Sequence, residues 1–320
     1  MKVFVAGASG AIGRCLVPRL VESAHEVVGT TRSPEKVDQL RRLGAVPVLL
    51  DGLDAPGVAA AVAQAEPDVV VHQMTALAGM DDLRNFDRGF AATNELRTRG
   101  TEYLLTAAQA AGVRRFVVQS YTGWPNAREG GPVKTEQDPL DPHPPKAQSE
   151  TLAAIRSMEE AVLDAPVEGM ILRYGSFYGP GASEPLVELV RKRKFPIVGA
   201  GEGVWSWIHI DDAAAATVAA VERGSPGIYN VVDDDPAPVA DWLPYLAEAV
   251  GAKPPRRFPV WIGRLAAGEV GVSMMTQVRG SSNAKAKREL QWQPVWKSWR
   301  QGFRHLGIGD EPAHGKPKGP

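Results

Sequence analysis

The residues best suited to chemistry are three glycines, Gly7, Gly10 and Gly13, which follow the apolar run Val3 to Ala6. Gly7 allows a tight turn, Gly10 leaves room for an approaching pyrophosphate, and Gly13 lets a helix pack closely against the strand. The apolar residues after Gly13 recur at helical spacing, so the helix amides would face the anion. The spacing therefore predicts a phosphate cradle for a dinucleotide. The same cradle includes Ser9, Ala11 and Ile12.

The end of the second predicted strand indicates which dinucleotide is bound. An acidic residue there would bind the ribose hydroxyls of NAD, but no acid lies between Val27 and Pro34. A guanidinium at Arg32, with Lys36 one turn further on, suits a 2′-phosphate through its charge and its forked hydrogen bonds. The sequence therefore favours NADP over NAD. The alternative is that Arg32 is an ordinary exposed loop cation and that NAD is the cofactor.

Further cofactor contacts are predicted at the carboxyl ends of the later strands, because ligands of open parallel sheets bind there. Asp51 ends the third predicted strand, where it could accept a hydrogen bond from the adenine amino group. The remaining cofactor-binding candidates are Thr31, Gly52, Gln73, Met74, Thr75, Asn94, Gln119, Tyr174 and Ser176.

Strand and helix signals alternate through the first half of the chain and must position these residues. After the first strand and helix, strands are predicted at 26–31, 46–50, 68–72, 115–119 and 168–173, and helices at 34–43, 56–65, 94–111 and 151–164. Ser33 is expected to cap the helix that starts at Pro34. The alternation predicts an α/β fold in which helices cover both faces of a doubly wound parallel sheet.

The alternation is interrupted between Trp124 and Pro145, a segment dense in proline, glycine and charge. Because it follows the fifth predicted strand directly, we interpret it as an ordered loop or a lid over the site. A surface insertion without contact to the substrate is the competing interpretation.

The bulk composition narrows the function classes. The 320 residues are 44% hydrophobic, enough for one large domain or two joined ones. The net charge is −1, and the basic run 190–194 reads as a solvated helix end, so neither nucleic acid nor a membrane is expected as a partner. The single cysteine, Cys15, excludes an intrachain disulfide and a cysteine-based zinc site, and no metal is expected.

The ends of the chain and its longest apolar runs indicate where the protein acts. No apolar run reaches the length of a membrane span, and the cradle starts too close to Met1 for a signal peptide. A cytoplasmic enzyme is therefore expected. Residues 309–320 are rich in glycine, proline and charge, and we expect a disordered tail there.

Several segments together resemble the extended short-chain dehydrogenase/reductase superfamily, the group labelled NAD-dependent epimerase/dehydratase. The matching segments are the glycine motif 7–13, the helix and strand within 94–119, and residues 172–181, 207–212, 229–233 and 283–292. The resemblance implies a Rossmann nucleotide domain and a smaller C-terminal substrate domain. We assign residues 1–174 plus 207–234 to the first and residues 175–206 plus 235–308 to the second.

The chain departs from this family at the catalytic residues. Typical members carry a Tyr and a Lys four residues apart on the helix before the sixth strand, where the Tyr moves a proton during hydride transfer. Aligning 159–162 with the family pattern puts Thr151 and Ile155 at those positions, and a one-residue slip puts Leu152 and Arg156 there. There is no Tyr from Pro125 to Arg173, so the usual pair is absent in either register.

Other residues must then handle the proton if hydride is transferred. Tyr121 occupies the family's Ser/Thr position after the fifth strand, and Ser120 and Thr122 could bind a substrate carbonyl. A phenol needs a nearby cation to work near neutral pH, and Lys134 could supply one. Tyr121 packing on the nicotinamide is the alternative. Reduction of a conjugated C=C bond would require only a carbonyl-polarising donor.

Two histidines are expected to be structural rather than catalytic. His72 ends the fourth predicted strand near the cofactor, where a packed, hydrogen-bonded ring is the commoner case. His209 is expected to belong to the contact between the two domains, as the resemblance implies.

The segments that line the site in relatives are apolar in this chain. They contain Trp124, Phe177, Tyr178, Trp205, Trp207, Met274 and Met275. If several face the cleft, the substrate is bulky and apolar, more like a terpenoid, polyketide or aromatic ketone than a nucleotide sugar.

Three functions fit these observations. The first is an NADP-dependent reductase of a carbonyl or enone, which we favour. The second is a non-redox isomerase or cyclase, and the third is a catalytically silent nucleotide sensor. A full-length substrate domain argues against the sensor, which needs no such pocket. The resemblance also makes a homodimer possible, through helices near 95–109 and 151–164.

Overall fold

The computed structural model describes residues 1–76 and 83–306, and a seven-stranded parallel sheet forms its centre. The strands of this sheet are β1 (Lys2–Ala6), β2 (Glu26–Thr31), β3 (Val46–Leu49), β4 (Val69–His72), β5 (Arg115–Tyr121), β7 (Glu168–Tyr174) and β12 (Gly227–Val231). Their spatial order is β12-β7-β5-β4-β1-β2-β3. Strands β2 and β3 are added on one side of β1, and β4 and the later strands are added on the other side. An open parallel sheet forms its ligand crevice at such a switch point, here between β1 and β4.

The helices of the described residues surround this sheet and extend beyond it. They are α1 (Ala11–Glu22), α2 (Val37–Arg42), α3 (Ala55–Ala65), α4 (Phe86–Glu95), α5 (Thr101–Ala110), α6 (Ser149–Asp164), α7 (Glu184–Arg191), α8 (Ile210–Glu222), α9 (Val239–Ala249), α10 (Val260–Thr276), α11 (Ala284–Glu289) and α12 (Trp299–Leu306). None of them combines the length and the apolar character needed to cross a lipid bilayer.

Two apolar cores hold the helices on the two faces of the sheet. One contains Leu16, Val17 and Leu20 of α1 packed with α8, and the other contains residues of α3, α5 and α6. The central strands are buried on both faces, as the continuous apolar run Val3 to Ala6 shows. The α/β fold with a doubly wound parallel sheet is therefore confirmed.

Two predicted helices differ from those observed. The helix predicted at 34–43 begins with a 3₁₀ turn, Pro34–Lys36, before α2, and the Ser33 side chain makes no capping hydrogen bond. The helix predicted at 94–111 begins at Phe86 as α4 and continues through a π-helical turn, Leu96–Gly100, into α5. Phe86 and Phe90 are buried, so packing extends the helix further than the periodicity after Asn94 indicates.

The later part of the chain adds four two-stranded pairs and a third apolar core. The pairs are formed by β6 (Val133–Lys134) with β15 (Gly280–Ser281), β8 (Ser176–Tyr178) with β11 (Trp207–His209), β9 (Ile197–Val198) with β14 (Arg257–Phe258), and β10 (Val204–Trp205) with β13 (Ala237–Pro238). The third core gathers side chains from α7, α9, α10 and α12. The boundaries of the two domains stay a prediction, and the predicted tail lies outside the described residues.

The segment between Trp124 and Pro145 is tied to the C-terminal part of the chain. Its strand β6 pairs with β15, and the Asn126 amide donates to Ser281 Oγ at 2.9 Å and to the Arg279 carbonyl at 3.2 Å. Arg128 forms an ion pair of 2.8 Å with the buried Asp141. These contacts describe an ordered loop. Its first residue, Trp124, and the preceding Gly123 line a small apolar cleft.

Candidate nucleotide site and adjacent cleft

The glycine turn after β1 has the geometry of an anion cradle. Gly7 has φ = +87°, a conformation that favours glycine, and its amide donates to Thr30 Oγ1 at 3.0 Å. A Cβ on Gly7 would lie 2.9 Å from the Gln73 carbonyl, and a Cβ on Gly13 would lie 2.3 Å from the Ala8 carbonyl oxygen. Both positions therefore need glycine, and the turn leads directly into α1 at Ala11.

A cavity of about 190 Å³ opens beside this turn at the carboxyl ends of β1, β2, β3 and β4. Its lining includes the predicted residues Gly7, Ser9, Gly10, Thr31, Arg32, Lys36, Asp51, Gly52, Gln73, Met74 and Thr75. It also includes Thr30, Ser33, Leu50 and Leu96, which are not among the predicted cofactor residues. Leu50 and Thr30 are next to predicted residues in the sequence. Leu96 belongs to the π-helical turn, and no motif in the neighbouring sequence indicates that it lines the cavity.

The rim of this cavity carries exposed cations. Arg32 and Lys36 are both exposed, and within residues 1–76 and 83–306 neither side chain has an ion-pair or hydrogen-bond partner. Asp51 lies on the same rim, where its carboxylate accepts a hydrogen bond from the Leu53 amide at 3.0 Å. The Ser9 and Thr31 hydroxyls are 2.8 Å apart and connect the cradle to the end of β2. The rim therefore offers two unpaired cations to an anionic ligand.

An unpaired buried atom in the lining also points to a ligand. Gln73 Nε2 donates to the Tyr174 hydroxyl at 3.2 Å, but Gln73 Oε1 is buried and lacks a hydrogen-bond partner in the part of the chain that the structure describes. The Tyr174 hydroxyl is also 2.7 Å from Thr217 Oγ1, and burial raises the pKa of Tyr174 to about 12. Tyr174 is thus a neutral, buried supporting residue behind the cavity. A buried oxygen without a partner is costly unless a ligand or water satisfies it.

The other predicted cofactor residues are not among those that line this cavity. Ala11, Ile12 and Gly13 form the first turn of α1. Asn94 is half-buried on α4, where its amide donates to Thr151 Oγ1 at 3.1 Å and its carbonyl accepts from Arg97 at 3.3 Å. Gln119 is half-buried on β5, and Ser176 begins β8 beside the apolar cleft.

His72 at the end of β4 is placed as a structural residue. It is buried, its Nδ1 accepts from the Met74 amide at 3.2 Å, and its Nε2 lies 3.3 Å from the Leu96 carbonyl oxygen. These contacts assign a neutral ring that donates through Nε2. Burial lowers the pKa of His72 to about 4. The ring therefore holds the backbone at the cavity wall rather than exchanging protons.

His209 is also packed into the protein interior. Its ring is stacked on Trp296 with centroids 4.7 Å apart, and its Nδ1 accepts from the Asp211 amide at 3.2 Å. Burial lowers the pKa of His209 to about 4. These contacts give His209 the role of a helix cap at the start of α8.

Tyr121 lies at the carboxyl end of β5 and forms a hydroxyl pair with Ser176. The two oxygen atoms are 2.9 Å apart, and the Tyr121 ring is 6.4 Å from the Trp124 ring. Burial raises the pKa of Tyr121 above its ordinary value, although the hydrogen bond to Ser176 opposes this shift. The phenol is therefore protonated at neutral pH, able to donate a hydrogen bond but poor as a base.

The side chains of Ser120 and Lys134, the other residues proposed to handle the proton, make buried hydrogen bonds away from Tyr121. Ser120 is buried and donates to Glu159 Oε1 at 2.6 Å, and Glu159 is paired with Arg173. Lys134 is buried, and its ammonium donates to the Glu129 carbonyl and lies 3.4 Å from Asp138. Neither side chain is therefore brought together with Tyr121. Side chains alternate along a strand, so Ser120 points towards α6, and the Lys134 ammonium is held by the Glu129 carbonyl and the Asp138 carboxylate.

Thr122 borders the cleft, but its hydroxyl is used in contacts within the protein. It lines the small cleft with Tyr121, but its hydroxyl lies 2.5 Å from Ser281 Oγ and 3.1 Å from Asn126 Oδ1. Its side chain thus anchors the 124–145 loop to β15.

The positions expected for the family's Tyr and Lys are filled by packed residues. The Thr151 hydroxyl donates to Asp87 at 2.6 Å and accepts from Asn94, and Ile155 is fully buried. In the shifted register, Leu152 is buried and Arg156 donates to the carbonyls of residues 140 and 141. Neither register places a phenol and an ammonium together on α6.

The aromatic residues divide between the cleft and the core. Trp124, Trp205 and Met274 line the cleft beside Tyr121 and Ser176, and Trp205 Nε1 donates to the Met274 carbonyl at 2.8 Å. Trp207, Tyr178 and Met275 are buried in the third core, and Phe177 packs on Tyr174 with centroids 5.5 Å apart. The cleft has a volume of only about 20 Å³, so a bulky ligand requires these side chains to move apart.

Comparisons with known proteins agree with this architecture. Residues 3–231 match the family model of the NAD dependent epimerase/dehydratase family. The chain is 40% identical over 308 residues to the 3-diazoavenalumate denitrifying reductase of a Streptomyces species, covering 95% of this chain and 99% of that protein.

Two further proteins extend the comparison. A ketoreductase of Stigmatella aurantiaca, named for a 4-hydroxy-2-methyl-3-oxo-4-farnesyl-dihydroquinoline oxide, is 28% identical over 260 residues, covering 79% of this chain and 74% of that protein. The crystal structure of a human epimerase family protein with NADPH superimposes with a TM-score of 0.74 at 18% identity, covering 97% of this chain and all of that chain. This last similarity shows the shared fold.

Proposed function

The chain belongs to the NAD dependent epimerase/dehydratase family, and on this basis we propose that it is an NADP-dependent reductase of a carbonyl or enone in a bulky apolar molecule. Both the family and the reductase names of its relatives support an NAD(P)-dependent oxidoreductase of the extended short-chain type. The observation that carries the finer proposal is the Tyr121–Ser176 hydroxyl pair, which opens onto an apolar cleft at the carboxyl edge of the sheet.

The cavity beside the glycine turn fits a dinucleotide. Gly7 and Gly13 have no Cβ, and a Cβ at either position would clash with the neighbouring backbone. Gln73 Oε1 is a buried acceptor without a donor among the described residues. Arg32 and Lys36 are unpaired at the rim of the cavity. The forked guanidinium of Arg32 suits a 2′-phosphate, and Lys36 adds a second positive charge. NADPH held in this cavity would supply a hydride to a substrate in the adjacent cleft.

Tyr121 and Ser176 act on the substrate oxygen in this proposal. The protonated phenol donates a hydrogen bond to a carbonyl oxygen, which stabilises the negative charge that develops as hydride arrives. Ser176 orients the phenol, and Trp124, Trp205 and Met274 contribute an apolar surface for the rest of the molecule. An enone suits this site because its carbon can take a proton from water, so that only polarisation of the carbonyl is required.

Reductive loss of a diazo group is a second candidate, and a specific observation favours it. The relative that is 40% identical is named a denitrifying reductase of a diazo acid, and α6 carries no phenol and ammonium pair. An aryl diazonium ion that accepts hydride at its terminal nitrogen becomes a neutral aryl diazene. The diazene hydrogen then passes to the ring carbon as the C–N bond breaks and N₂ leaves. The products are the arene and N₂, so no residue has to protonate an oxyanion.

One experiment tests both candidates. Purified protein is mixed with NADPH or NADH and with matched aromatic substrates that carry a ketone, an enone or a diazonium group, and oxidation of the cofactor is followed by absorbance. NADPH labelled with deuterium at the transferred position should give a labelled product from the ketone or the enone. Labelled alcohol or saturated ketone supports the first candidate. Arene formation with N₂ release and matching oxidation of the cofactor supports the second, whether or not the arene keeps the label, because the nitrogen-bound hydrogen of the diazene exchanges with water. Tight NADPH binding without turnover on the whole panel would contradict both and favour the isomerase, cyclase or sensor.

A further inference from the structure

One surface of the molecule combines exposed apolar side chains with an unusual density of positive charge. We define the basic–apolar face as residues 191–194 together with residues 253–265. The first run is Arg-Lys-Arg-Lys, and the second contains Lys253, Arg256, Arg257 and Arg264 without any acidic residue. These two runs carry eight of the chain's 36 Lys and Arg residues within 17 positions and contain no acid, although the whole chain has a net charge of −1.

Folding brings the two basic runs together although about sixty residues separate them. Strands β9 and β14 pair in parallel, with Ile197 opposite Arg257. The Ile197 amide donates to the Arg256 carbonyl at 2.8 Å, and Arg193 Nε donates to the Pro254 carbonyl at 3.2 Å. The two loops that precede these strands therefore lie side by side, and their cations share one surface.

The first half of α10 adds the apolar part of this face. Val260, Trp261 and Leu265 have exposed fractions of 38%, 63% and 67%. Trp261 and Leu265 are four residues apart and so share one side of the helix. Gly263 faces inwards, where a Cβ would lie 2.5 Å from Val198 Cγ1. Gly263 thus packs against β9, whereas Trp261 and Leu265 on the same helix face solvent.

The acids next to this face neutralise only part of its charge. Arg264 pairs with Glu269 at 2.8 Å, and Lys192 pairs with Glu188 one turn earlier on the chain. Glu248, on the last turn of α9, is the acidic residue that most closely precedes the second run along the chain. In the described part of the chain, Arg191, Lys194 and Lys253 make no ion pair, and the same holds for Arg256 and Arg257.

We propose that the basic–apolar face docks on an anionic phospholipid surface. This differs from the expectation drawn from the net charge and from the run 190–194 alone, because folding places a second basic run and exposed apolar residues beside it. The exposed Trp261 and Leu265 of α10 can be buried at the level of the lipid headgroups, while the unpaired cations of the two adjoining loops contact the phosphates. A second copy of the chain is a poor occupant, because two such faces in symmetric contact would bring like charges together. An acidic protein would need an apolar patch shaped to fit Trp261 and Leu265 as well as acids placed opposite the cations, whereas a lipid interface accepts both groups without a shaped surface.

The experiment is sedimentation of the full chain with lipid vesicles, which is independent of the reductase proposal because it needs no substrate. Vesicles of phosphatidylcholine alone are compared with vesicles that also contain phosphatidylglycerol. We expect binding only to the anionic vesicles, and we expect high salt to release the protein because screening weakens the attraction to the headgroups.

Two variants separate the apolar and the electrostatic contributions. Trp261→Ser with Leu265→Ser should weaken binding about tenfold by removing the inserted groups, and Arg256→Glu with Arg257→Glu should weaken it by about tenfold or more. Arg41→Glu with Arg42→Glu is the matched control, because it makes the same charge change at exposed residues of α2 and should bind like the unaltered protein.

Three outcomes would overturn the proposal. The first is failure of the unaltered protein to sediment with anionic vesicles. The second is equal binding by the Trp261 and Leu265 variant, which would indicate a purely electrostatic surface suited to an acidic protein. The third is dimerisation in solution that this variant abolishes, which would assign the face to a second copy of the chain.

Discussion

At the scale of single residues, the chemistry of the site depends on which polar groups are left without partners. Arg32 and Lys36 are exposed and unpaired at the nucleotide cavity, within the described residues. Ser120 and Lys134 have the right chemical groups but use them in buried contacts with Glu159 and Glu129. Tyr121 keeps a hydroxyl beside the cleft, and burial raises its pKa. These environments lead to two predictions.

The first prediction concerns selection of the cofactor by Arg32. Arg32→Ala should weaken NADPH binding by about tenfold to a hundredfold, because charge-assisted hydrogen bonds to the 2′-phosphate are lost. NADH binding should stay unchanged, since NADH lacks that phosphate. Calorimetric titration of both cofactors measures the two affinities. Arg42→Ala is the control at a nearby exposed cation, and equal loss for NADPH and NADH in Arg32→Ala would contradict the assignment.

The second prediction concerns Tyr121 as a hydrogen-bond donor. Tyr121→Phe should lower kcat for a ketone or enone by about a hundredfold, because one donor to the developing oxyanion is removed. It should leave the rate with a diazonium substrate and the affinity for NADPH nearly unchanged. Steady-state kinetics that separate kcat from KM test this, with Ser176→Ala as a milder variant.

The pH profile provides a further check on Tyr121. Because its pKa is raised, the ketone reaction should not titrate with this phenol across neutral pH. An inflection near neutrality that Tyr121→Phe removes would show that the phenol acts as a base instead.

At the scale of secondary structure elements, the site depends on how closely α1 approaches the strand before it. Gly13 lies on the first turn of α1, and the Ala8 backbone occupies the space where a Cβ would stand. This close contact helps to fix the direction of α1, and the amides at the start of the helix face the cavity. The π-helical turn between α4 and α5 contributes Leu96 to the cavity wall in a similar way, by widening one turn of a continuous helix.

The third prediction tests this close approach. Gly13→Ala should destabilise the protein by about 1–3 kcal/mol and should weaken binding of both NADPH and NADH, because α1 must move away from β1. Denaturant unfolding gives the stability, and calorimetry gives the affinities. Gly131→Ala is the control, because a Cβ there meets no atom within 4 Å. Normal stability of Gly13→Ala would mean that α1 does not rely on this contact.

At the scale of the whole molecule, four apolar cores within the described residues hold the sheet, its two helix layers and the C-terminal segments together. His72 and His209 are buried among these layers, and burial lowers the pKa of each to about 4 from an ordinary value of 6.5. The unfolded chain therefore binds protons at these histidines before the folded protein does. Stability is complete above the unfolded pKa and is lost as pH falls towards the folded one.

The fourth prediction follows from this linkage. The free energy of unfolding should fall as the pH is lowered from about 6.5 towards about 4, and His72 should contribute on the order of 3 kcal/mol to that loss. His72→Gln should make the dependence shallower even if its stability at neutral pH is lower. Denaturant titrations at several pH values give the slope, with His143→Gln as the control at an exposed histidine. An unchanged slope in His72→Gln would assign the acid sensitivity to other groups.

The sequence alone determined the nucleotide cradle, because its information lies in neighbouring residues. Gly7, Gly10 and Gly13 specify a turn and a helix start through steric limits that act within a few residues, and Arg32 follows its strand directly. The alternation of apolar runs likewise predicts the parallel sheet. The predicted helix at 94–111 was incomplete, because buried Phe86 and Phe90 extend it through tertiary packing.

Only the tertiary structure decided which of these side chains remain available. Ser120 is hydrogen-bonded to Glu159, which is thirty-nine residues away along the chain and is paired with Arg173. Nothing in the sequence near Ser120 indicates that its hydroxyl is used in this way. The same holds for Thr122 with Ser281 and for the two basic runs that meet at β9 and β14. Hydrogen bonds and charge act over a few ångströms in space. Whether a residue binds a ligand or a distant part of its own chain is therefore decided by folding.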